Sequence, residues 1–236
     1  MDSCEGSVLG PAEAAAWDLG CAGDEVRNRF VIPSVARLIT STDAATVMDI
    51  GCGTGYVCQK LAALEVHWTL LDMCEAMIAF ARTALAGRDN VSYVTASLSS
   101  AIDRALVSPH DIVYSAYSIL EVHDLHSFAR ACRVAVREGG VVALYLPDSL
   151  EDVPPAPDPA FEEFRAGTTR IRKLNAFTRT ELVFFARRIE LYLAAFTAEG
   201  LALVDLEESL SSAGKRHFAL IFRKISKVNS CCSKES

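Results

Sequence analysis

The period of the hydrophobic pattern changes along this chain. In the first 42 residues or so, apolar side chains recur at three- and four-residue steps, at Val26, Phe30, Val31, Val35, Leu38 and Ile39. This spacing predicts a helix with one apolar face. Pro33 lies inside the pattern and is expected to bend or divide the helix.

From residue 43 onward, short apolar runs alternate with helical patterns. Strands are predicted at 46–50, 67–72, 91–96, 111–120 and 141–147. Helices are predicted between them at 56–64, at 74–87, in a stretch that follows the third strand and ends at residue 105, and at 127–136. A helix at 189–200 precedes two last strands, 201–209 and 217–224, which are expected to pair as an antiparallel hairpin at the sheet edge. Such alternation is typical of a parallel sheet covered on both faces.

The segment 148–170 interrupts this rhythm, because it is rich in proline and acidic residues. It is interpreted either as a surface insertion or as part of a substrate lid extending to residue 190. The basic residues that follow it, Arg170, Arg172 and Lys173, and the pair Arg187-Arg188, are either contacts for an acidic substrate or a solvated face.

Composition narrows the choice of function. The chain of 236 residues has 51% hydrophobic residues and 23 Lys+Arg against 30 Asp+Glu, a formal charge of −7. The length and apolar content predict one domain with a sizeable core, and the negative charge disfavours binding along a phosphate backbone. The eight cysteines lack the CxxC spacing of a metal site, so we expect reduced thiols and no metal. With no secretory signal and no apolar run of membrane-spanning length, a cytoplasmic protein is expected, with residues 225–236 as a disordered tail.

The most informative segment is the glycine loop that follows the first predicted strand. The loop contains Gly51, Gly53 and Gly55, of which Gly51 comes two residues after Asp49 and Gly55 directly precedes a predicted helix. Glycines let the backbone approach a ligand closely, and the start of the helix offers free N–H groups. In an open parallel sheet, ligands bind at this edge.

The loop distinguishes between two cofactors. A dinucleotide-binding loop needs its third glycine where this chain has Tyr56. The Asp49 carboxylate would repel a pyrophosphate but suits a ligand that bears an ammonium and a sulfonium group. Asp72, which ends the second strand, is placed to accept both hydroxyls of a ribose. The loop therefore favours S-adenosylmethionine.

Four segments of the chain resemble the motifs of the class I S-adenosylmethionine-dependent methyltransferases, especially the small-molecule branch that acts on natural products. They are VMDIGCGTGYV, LLDMCEAMIAFAR, DIVYSAYSILEVHDL and VREGGVVALYLP, and the resemblance extends over residues 15–224. It implies a Rossmann-like, doubly wound α/β fold with a seven-stranded sheet, mostly parallel with an antiparallel C-terminal strand. It also implies a helical cap over the cofactor at 1–42 and a catalytic domain at 43–224.

The resemblance implies a set of cofactor-binding residues. These are Asp49, Gly51, Cys52, Gly53, Gly55, Asp72, Met73, Met77, Ala96, Ser97, Leu98 and Ser115. The chain departs from the family at Ala96-Ser97, where Gly-Asp is common. A serine hydroxyl can still accept a hydrogen bond from the adenine amine, but more weakly than a carboxylate.

Candidate catalytic residues cluster after the fourth strand. They are Tyr117, Glu121 and His123, of which His123 is the preferred base because histidine titrates near neutrality. The alternative is that this loop is solvated and caps the next helix through Asp124 or Ser127. Aromatic side chains predicted to contact the substrate or frame the mouth of the site are Trp17, Tyr117, Phe177, Phe184, Phe185 and Tyr192, and Phe30 is an alternative cover for the cofactor. His67 and His217 are interpreted as residues at strand edges.

The implied reaction is methyl transfer from S-adenosylmethionine to an O, N or C nucleophile of a small molecule, with S-adenosylhomocysteine as product. Two alternatives stay open: a cyclase or decarboxylase that binds the same cofactor without methylating, and a protein or peptide methyltransferase. The expected partner is a small-molecule acceptor, with no nucleic acid and no membrane, and the expected state is a monomer or homodimer.

Overall fold

The computed structural model describes residues 9–152, 168–175 and 178–225. Its α-helices are α1 (Pro11–Gly23), α2 (Ile32–Thr42), α3 (Tyr56–Lys60), α4 (Glu75–Ala84), α5 (Leu98–Asp103), α6 (Leu125–Ala135) and α7 (Ile189–Ala198). Its strands are β1 (Thr46–Ile50), β2 (His67–Asp72), β3 (Val91–Thr95), β4 (His110–Ala116), β5 (Val136–Pro147), β6 (Thr168–Leu174), β7 (Glu181–Arg187), β8 (Leu201–Leu210) and β9 (Arg216–Lys224). A π-helical turn spans Arg27–Val31, and 3₁₀ turns span Ser118–Glu121 and Ser149–Asp152.

Seven strands form one sheet in the order β3-β2-β1-β4-β5-β9-β8. Five of them, β1 to β5, pair in parallel, and β9 is antiparallel to both of its neighbours. The predicted doubly wound α/β fold is therefore confirmed. The strand order reverses between β1 and β4, and ligands bind outside the carboxyl ends of the strands at such a reversal.

The strands β8 and β9 pair in antiparallel orientation as predicted, but only β8 lies at the lateral edge of the sheet. The strand β9 lies inside the sheet, where Ala219, Leu220, Ile221 and Phe222 are buried, and β8 forms the edge. Because β9 runs against its neighbours, its first residues lie at the same edge as the last residues of β5. Pro147 is the register partner of His217. The start of β9 therefore lies beside the carboxyl ends of the parallel strands, which is where ligands bind in such sheets.

The N-terminal helical segment is interrupted earlier than Pro33. Asp24 has an extended backbone after α1, and the π-helical turn follows, with the Ile32 N–H bonded to the Arg27 carbonyl. Pro33 then lies in the first turn of α2, directly after the π-helical turn. Residues 25–42 are helical without a break, so the proline does not divide the helix, and the irregularity is the π-helical turn just before it.

Other boundaries also differ from the predictions. The helix α3 ends at Lys60, and the fourth strand ends at Ala116, after which the chain turns into a 3₁₀ helix. The strand β6 was not predicted, and it forms a separate two-stranded antiparallel sheet with β7. Most of the proline-rich insertion, from residue 153 to 167, lies outside the described residues, as does the predicted tail after Ile225.

Apolar side chains cover both faces of the sheet. Alternate residues of β1 separate between the two layers: Met48 and Ile50 belong to one cluster with α6 and α7, and Val47 belongs to the other with α2 and α4. Trp68, Tyr114 and Tyr145 are among the largest fully buried side chains. Among the described residues, no helix is both long and apolar enough to cross a membrane.

A buried histidine at the other end of the sheet makes stability depend on pH. The His110 side chain is 6% exposed, and its Nε2 lies 2.7 Å from the Thr69 hydroxyl. Burial lowers the pKa of His110. The unfolded chain therefore takes up this proton at higher pH than the folded chain, so the stability that neutral His110 contributes is lost as pH falls through the ordinary histidine range near 6.5.

We expect the urea-unfolding free energy of the native chain to decrease between pH 7.5 and pH 5.5 more steeply than that of His110→Gln. Exposed His67, which contacts Ser92 at 2.9 Å, gives the matched control His67→Gln, which should keep the native slope. Parallel pH dependences for the native chain and His110→Gln would contradict this assignment.

Candidate functional site

The glycine loop leaves β1 at the reversal of the strand order and passes close to β4. Gly51 and Gly53 have φ values of +68° and +54°, a region that side-chain-bearing residues rarely adopt. A Cβ atom added to Gly51 would lie 2.3 Å from the Cβ and Oγ of Ser118. Ser118 Oγ in turn donates a hydrogen bond to the Ile50 carbonyl at 2.8 Å. Glycine is thus required at position 51 by both conformation and space.

Asp72 connects this loop to the end of β2. Its Oδ2 accepts a hydrogen bond from the Gly53 N–H and its Oδ1 accepts one from the Cys74 N–H, each at 2.8 Å. Burial raises the pKa of Asp72, while these N–H groups act in the opposite direction. The Met73 N–H also bonds this carboxylate. A carboxylate has about four acceptor positions, so capacity remains for a hydroxyl donor.

Asp49 lies beneath the loop and is 2% exposed. The Tyr114 hydroxyl donates to its Oδ2 at 2.6 Å. Burial raises the pKa of Asp49 to about 7, against the opposing effects of the Tyr114 hydrogen bond and the Arg27 charge. This carboxyl group therefore changes charge near neutral pH.

Arg27 is a site residue that the sequence reasoning missed. It begins the π-helical turn, and its guanidinium carbon lies 5.0 Å from the centre of the Tyr117 ring. Its Nε is buried and lies 3.4 Å from Asp24 Oδ2, without a hydrogen bond to any described residue. Single π-turns often occur at functional sites, but this turn is visible only in the structure. The Arg27 guanidinium interacts with the carboxyl groups of Asp24 and Asp49. It can also bind a carboxylate of a ligand.

Tyr117 follows β4 in a left-handed conformation, with φ of +70°. Its N–H donates to the Tyr145 carbonyl at 2.8 Å, and its buried hydroxyl has no partner among the described residues. The ring of His217 packs edge-on at 6.0 Å between centroids. His217, interpreted from sequence as a strand-edge residue, thus lies at the site, because antiparallel β9 begins there.

Glu121 ends the 3₁₀ turn after β4. Its side chain reaches solvent, yet surrounding protein and then the Asp72 carboxylate raise its pKa to about 7. An exposed group with so many protein neighbours lies in a concave part of the surface. His123 is also exposed, and its ring packs against Phe185 at 5.1 Å. Asp124 caps α6 by accepting the Ser127 N–H at 3.0 Å, so the capping interpretation of this loop is right for Asp124.

The remaining predicted cofactor residues lie in several environments. Cys52, Met77, Leu98 and Ser115 are buried, Ala96 and Ser97 are half-buried, and Met73 is 48% exposed. Because the Leu98 side chain lies in the core, only its backbone can face a ligand. The Ser115 hydroxyl lies 2.7 Å from that of Ser118, so it supports the loop from behind. Ser97 caps α5 by accepting the Ser100 N–H.

The aromatic side chains predicted at the site also lie in different environments. Trp17 lies over the loop, since a Cβ added to Gly53 would be 3.1 Å from its Nε1. Phe184 packs partly against the core and Tyr192 is fully buried, so Tyr192 does not frame the mouth as predicted. Phe30 is partly buried and packs edge-on against Tyr145 at the margin of the core. Phe177 lies outside the described residues.

Two surface cavities lie away from this site. One, of about 470 Å³, is lined by residues 62–67 with Arg88 and Asn90, and the other, of about 290 Å³, is lined by polar groups around Asp111 and Arg137. Neither includes the glycine loop, which α1 and Trp17 cover. Within the described ranges, no group of three potential metal ligands is close enough to hold a metal ion.

Known proteins are similar to this chain in part of its sequence and in fold. The methyltransferase domain family matches residues 47–140. The CcbJ methyltransferase from Streptomyces caelestis has the same fold, with a TM-score of 0.66, 19% identity and coverage of 93% of this chain and 99% of that one. The N-methyltransferase NodS from Bradyrhizobium japonicum WM9, in complex with S-adenosyl-L-homocysteine, has a TM-score of 0.62 and 16% identity over 91% and 95%. The chain therefore has a segment, residues 47–140, that matches the methyltransferase domain family, and it has the fold of S-adenosylmethionine-dependent methyltransferases.

Sequence relatives within the family match over a shorter range. A malonyl-[acyl-carrier protein] O-methyltransferase from Bacillus anthracis is 28% identical over 102 residues, 42% of this chain and 36% of that protein. A ubiquinone biosynthesis O-methyltransferase from Serratia proteamaculans is 34% identical over 100 residues, 41% of this chain and 40% of that protein. The chain therefore spans about two fifths or less of the length of these curated relatives.

The cofactor of the family is S-adenosylmethionine, and the groups around the loop fit its chemistry. Asp72 retains acceptor capacity for a ribose hydroxyl, the Asp49 carboxylate suits the ammonium and sulfonium charges, and the Arg27 guanidinium suits the carboxylate. The buried Arg27 Nε has no hydrogen bond among the described residues, although Asp24 Oδ2 lies 3.4 Å away, and a guanidinium has further N–H donors that can bind an anionic ligand group.

We expect S-adenosylmethionine to bind about tenfold more tightly at pH 8 than at pH 6, because the ionised fraction of a carboxyl with a pKa near 7 rises by about that factor. Titration calorimetry measures this dependence. Asp49→Asn should bind weakly at both pH values and lose the slope. A slope retained in Asp49→Asn would assign it instead to Glu121, the other nearby group with a pKa of about 7.

Proposed function

We propose that this protein methylates a small molecule. The observation that supports the proposal best is the loop anchored by Asp72: three glycines with positive φ, a carboxylate that accepts the Gly53 N–H, and a buried Asp49 beneath them. S-Adenosylmethionine, when bound, supplies an already activated methyl group. The protein then needs mainly to align the acceptor, and positioning accounts for much of the barrier reduction in such reactions.

Different residues of this chain would bind different parts of the cofactor. Asp72 would hold the ribose, Asp49 the positively charged part of the methionine moiety, and Arg27 its carboxylate. The ring of Tyr117, held between Arg27 and His217 at 5.0 and 6.0 Å, forms a wall on the acceptor side. Trp17 and α1 would exclude water from above.

An oxygen nucleophile is the acceptor we favour. The two relatives reported above are O-methyltransferases by name. A hydroxyl acceptor must lose its proton before or during transfer, whereas a carboxylate acceptor is already ionised at neutral pH. Glu121 lies in the concave surface next to Asp72 and is half-ionised near neutral pH, which suits a general base. We place it ahead of His123, whose ring packs against Phe185.

The first experiment is a calorimetric titration with S-adenosylhomocysteine. The native chain should bind it at one site, and Asp72→Ala should bind roughly 10- to 100-fold more weakly, as expected for loss of hydrogen bonds to a charged group. Asp89→Ala, the same change at an exposed residue before β3, should bind like the native chain, and NAD should not bind. Absence of binding to the native chain would refute the proposal. Cofactor binding without S-adenosylhomocysteine formation across an acceptor panel would instead indicate a cyclase or decarboxylase, and turnover of peptides alone would indicate a protein methyltransferase.

The role of Glu121 is tested once an acceptor is found. The kcat of the native enzyme should rise with pH through about 7, because the carboxylate is the active form of this base. We expect Glu121→Gln to reduce kcat by roughly 10²- to 10⁴-fold and to abolish this rise. His123→Gln should keep most of the activity. The reverse result would return the role of base to His123.

A further inference from the structure

We propose that Arg187 is a positioning residue, which joins the β6–β7 sheet to the loop of Glu121 and His123 and determines where that loop lies. The consequence for catalysis rests on the proposed function, whereas the consequence for loop structure does not.

The side chain of Arg187 binds the backbone of this loop directly. Its Nη2 donates to the Val122 carbonyl at 2.6 Å and to the His123 carbonyl at 2.8 Å. The residue is 4% exposed. Both carbonyls belong to residues just after the 3₁₀ turn that ends at Glu121, so Arg187 holds the chain at the point where it leaves that turn.

Phe185, two residues earlier on the same face of β7, adds a second contact. Its ring lies 5.1 Å from the guanidinium carbon of Arg187 and 5.1 Å from the centroid of the His123 ring. The backbone and the side chain of His123 are therefore held by neighbouring residues of one strand. A cation over an aromatic face is attracted by the ring, which favours this arrangement of Arg187.

The backbone of Arg187 connects a third segment. Its N–H donates to the Ser149 hydroxyl at 3.1 Å. Ser149 begins the 3₁₀ turn after β5. The segments that follow β4 and β5 thus meet at one residue of β7, and both leave the sheet at the edge where the ligand binds.

The charge at position 187 is difficult to explain by stability alone. Burial lowers the pKa of Arg187, which reflects the cost of a buried cation. A well-packed apolar side chain in such a place is often as stable or more stable. By contrast, Arg188 is exposed and pairs with Glu190 at 2.7 Å. One terminal nitrogen of the guanidinium, Nη2, carries two N–H donors and uses them on two adjacent carbonyls of the loop.

The test compares three variants of the full chain by NMR and hydrogen exchange. Arg187→Met keeps much of the side-chain volume and loses both hydrogen bonds, Arg187→Lys keeps one cationic donor, and Arg188→Met is the matched control. The readouts are the ring resonances of His123, assigned among five histidines with His123→Gln, and amide exchange in residues 119–125. S-Adenosylhomocysteine affinity and melting temperature are measured alongside.

In Arg187→Met, we expect the His123 resonances to move toward those of a freely exposed histidine and exchange in residues 119–125 to become at least about tenfold faster, the factor expected for a loss of roughly 1.4 kcal/mol in local stability. Arg187→Lys should restore part of both signals, and Arg188→Met should match the native chain. Cofactor affinity should change by less than about threefold, because Arg187 does not contact the glycine loop. With an acceptor in hand, kcat should fall at least about tenfold at nearly constant KM for the cofactor, as for a lost transition-state alignment.

A lower melting temperature with unchanged His123 resonances and unchanged exchange in residues 119–125 would overturn the proposal, since Arg187 would then be structural only. Equal effects of Arg187→Met and Arg188→Met would overturn it as well. Failure of the native chain to bind S-adenosylhomocysteine would refute the proposed function and would leave the loop measurements to decide this inference independently.

Discussion

The contact between Gly51 and Ser118 joins the two strands at which the sheet order reverses. Here the backbone of Gly51, just after β1, passes within van der Waals distance of the side chain of Ser118, which follows β4. The hydrogen bond from Ser118 to the Ile50 carbonyl strengthens the junction. The glycine loop, the left-handed turn at Tyr117 and the position of Glu121 all depend on this close approach, because each begins within a few residues of it.

Electrostatics gives the site its selectivity. Three carboxyl groups, those of Asp49, Asp72 and Glu121, have their pKa raised mainly by burial, and the pKa of two of them lies near 7. The only cation that the structure brings close to Asp49 among the described residues is Arg27. A ligand that combines positive charge with one carboxylate complements this set, whereas a pyrophosphate does not. The arrangement explains physically why a Rossmann-like sheet can bind S-adenosylmethionine instead of a dinucleotide.

The two sides of the site are built differently. The cofactor side consists of backbone turns at the ends of β1 and β2, held by short-range contacts such as that of Asp72 with Gly53. The acceptor side depends on contacts between segments far apart in sequence, among them Arg187 with residues 122–123 and Tyr117 with His217. We therefore expect changes in the β6–β7 sheet to affect the proposed acceptor side more than the cofactor side.

The sequence by itself determined the fold class, the glycine loop and the role expected for Asp72, because hydrophobic periodicity and a strand–glycine–helix motif are local properties. The alternative interpretation of the loop after β4, a cap on α6 by Asp124 or Ser127, was also available from sequence, since a cap lies within three residues of its donors, and Asp124 is the cap. Only the tertiary structure separated Arg187 from Arg188, since burial depends on the packing of β7 against the loop after β4. In the same way, only the sheet topology brought His217 and Arg27 to the site, because a strand direction and a π-helical turn decide where those side chains lie, and neither can be read from nearest neighbours in the sequence.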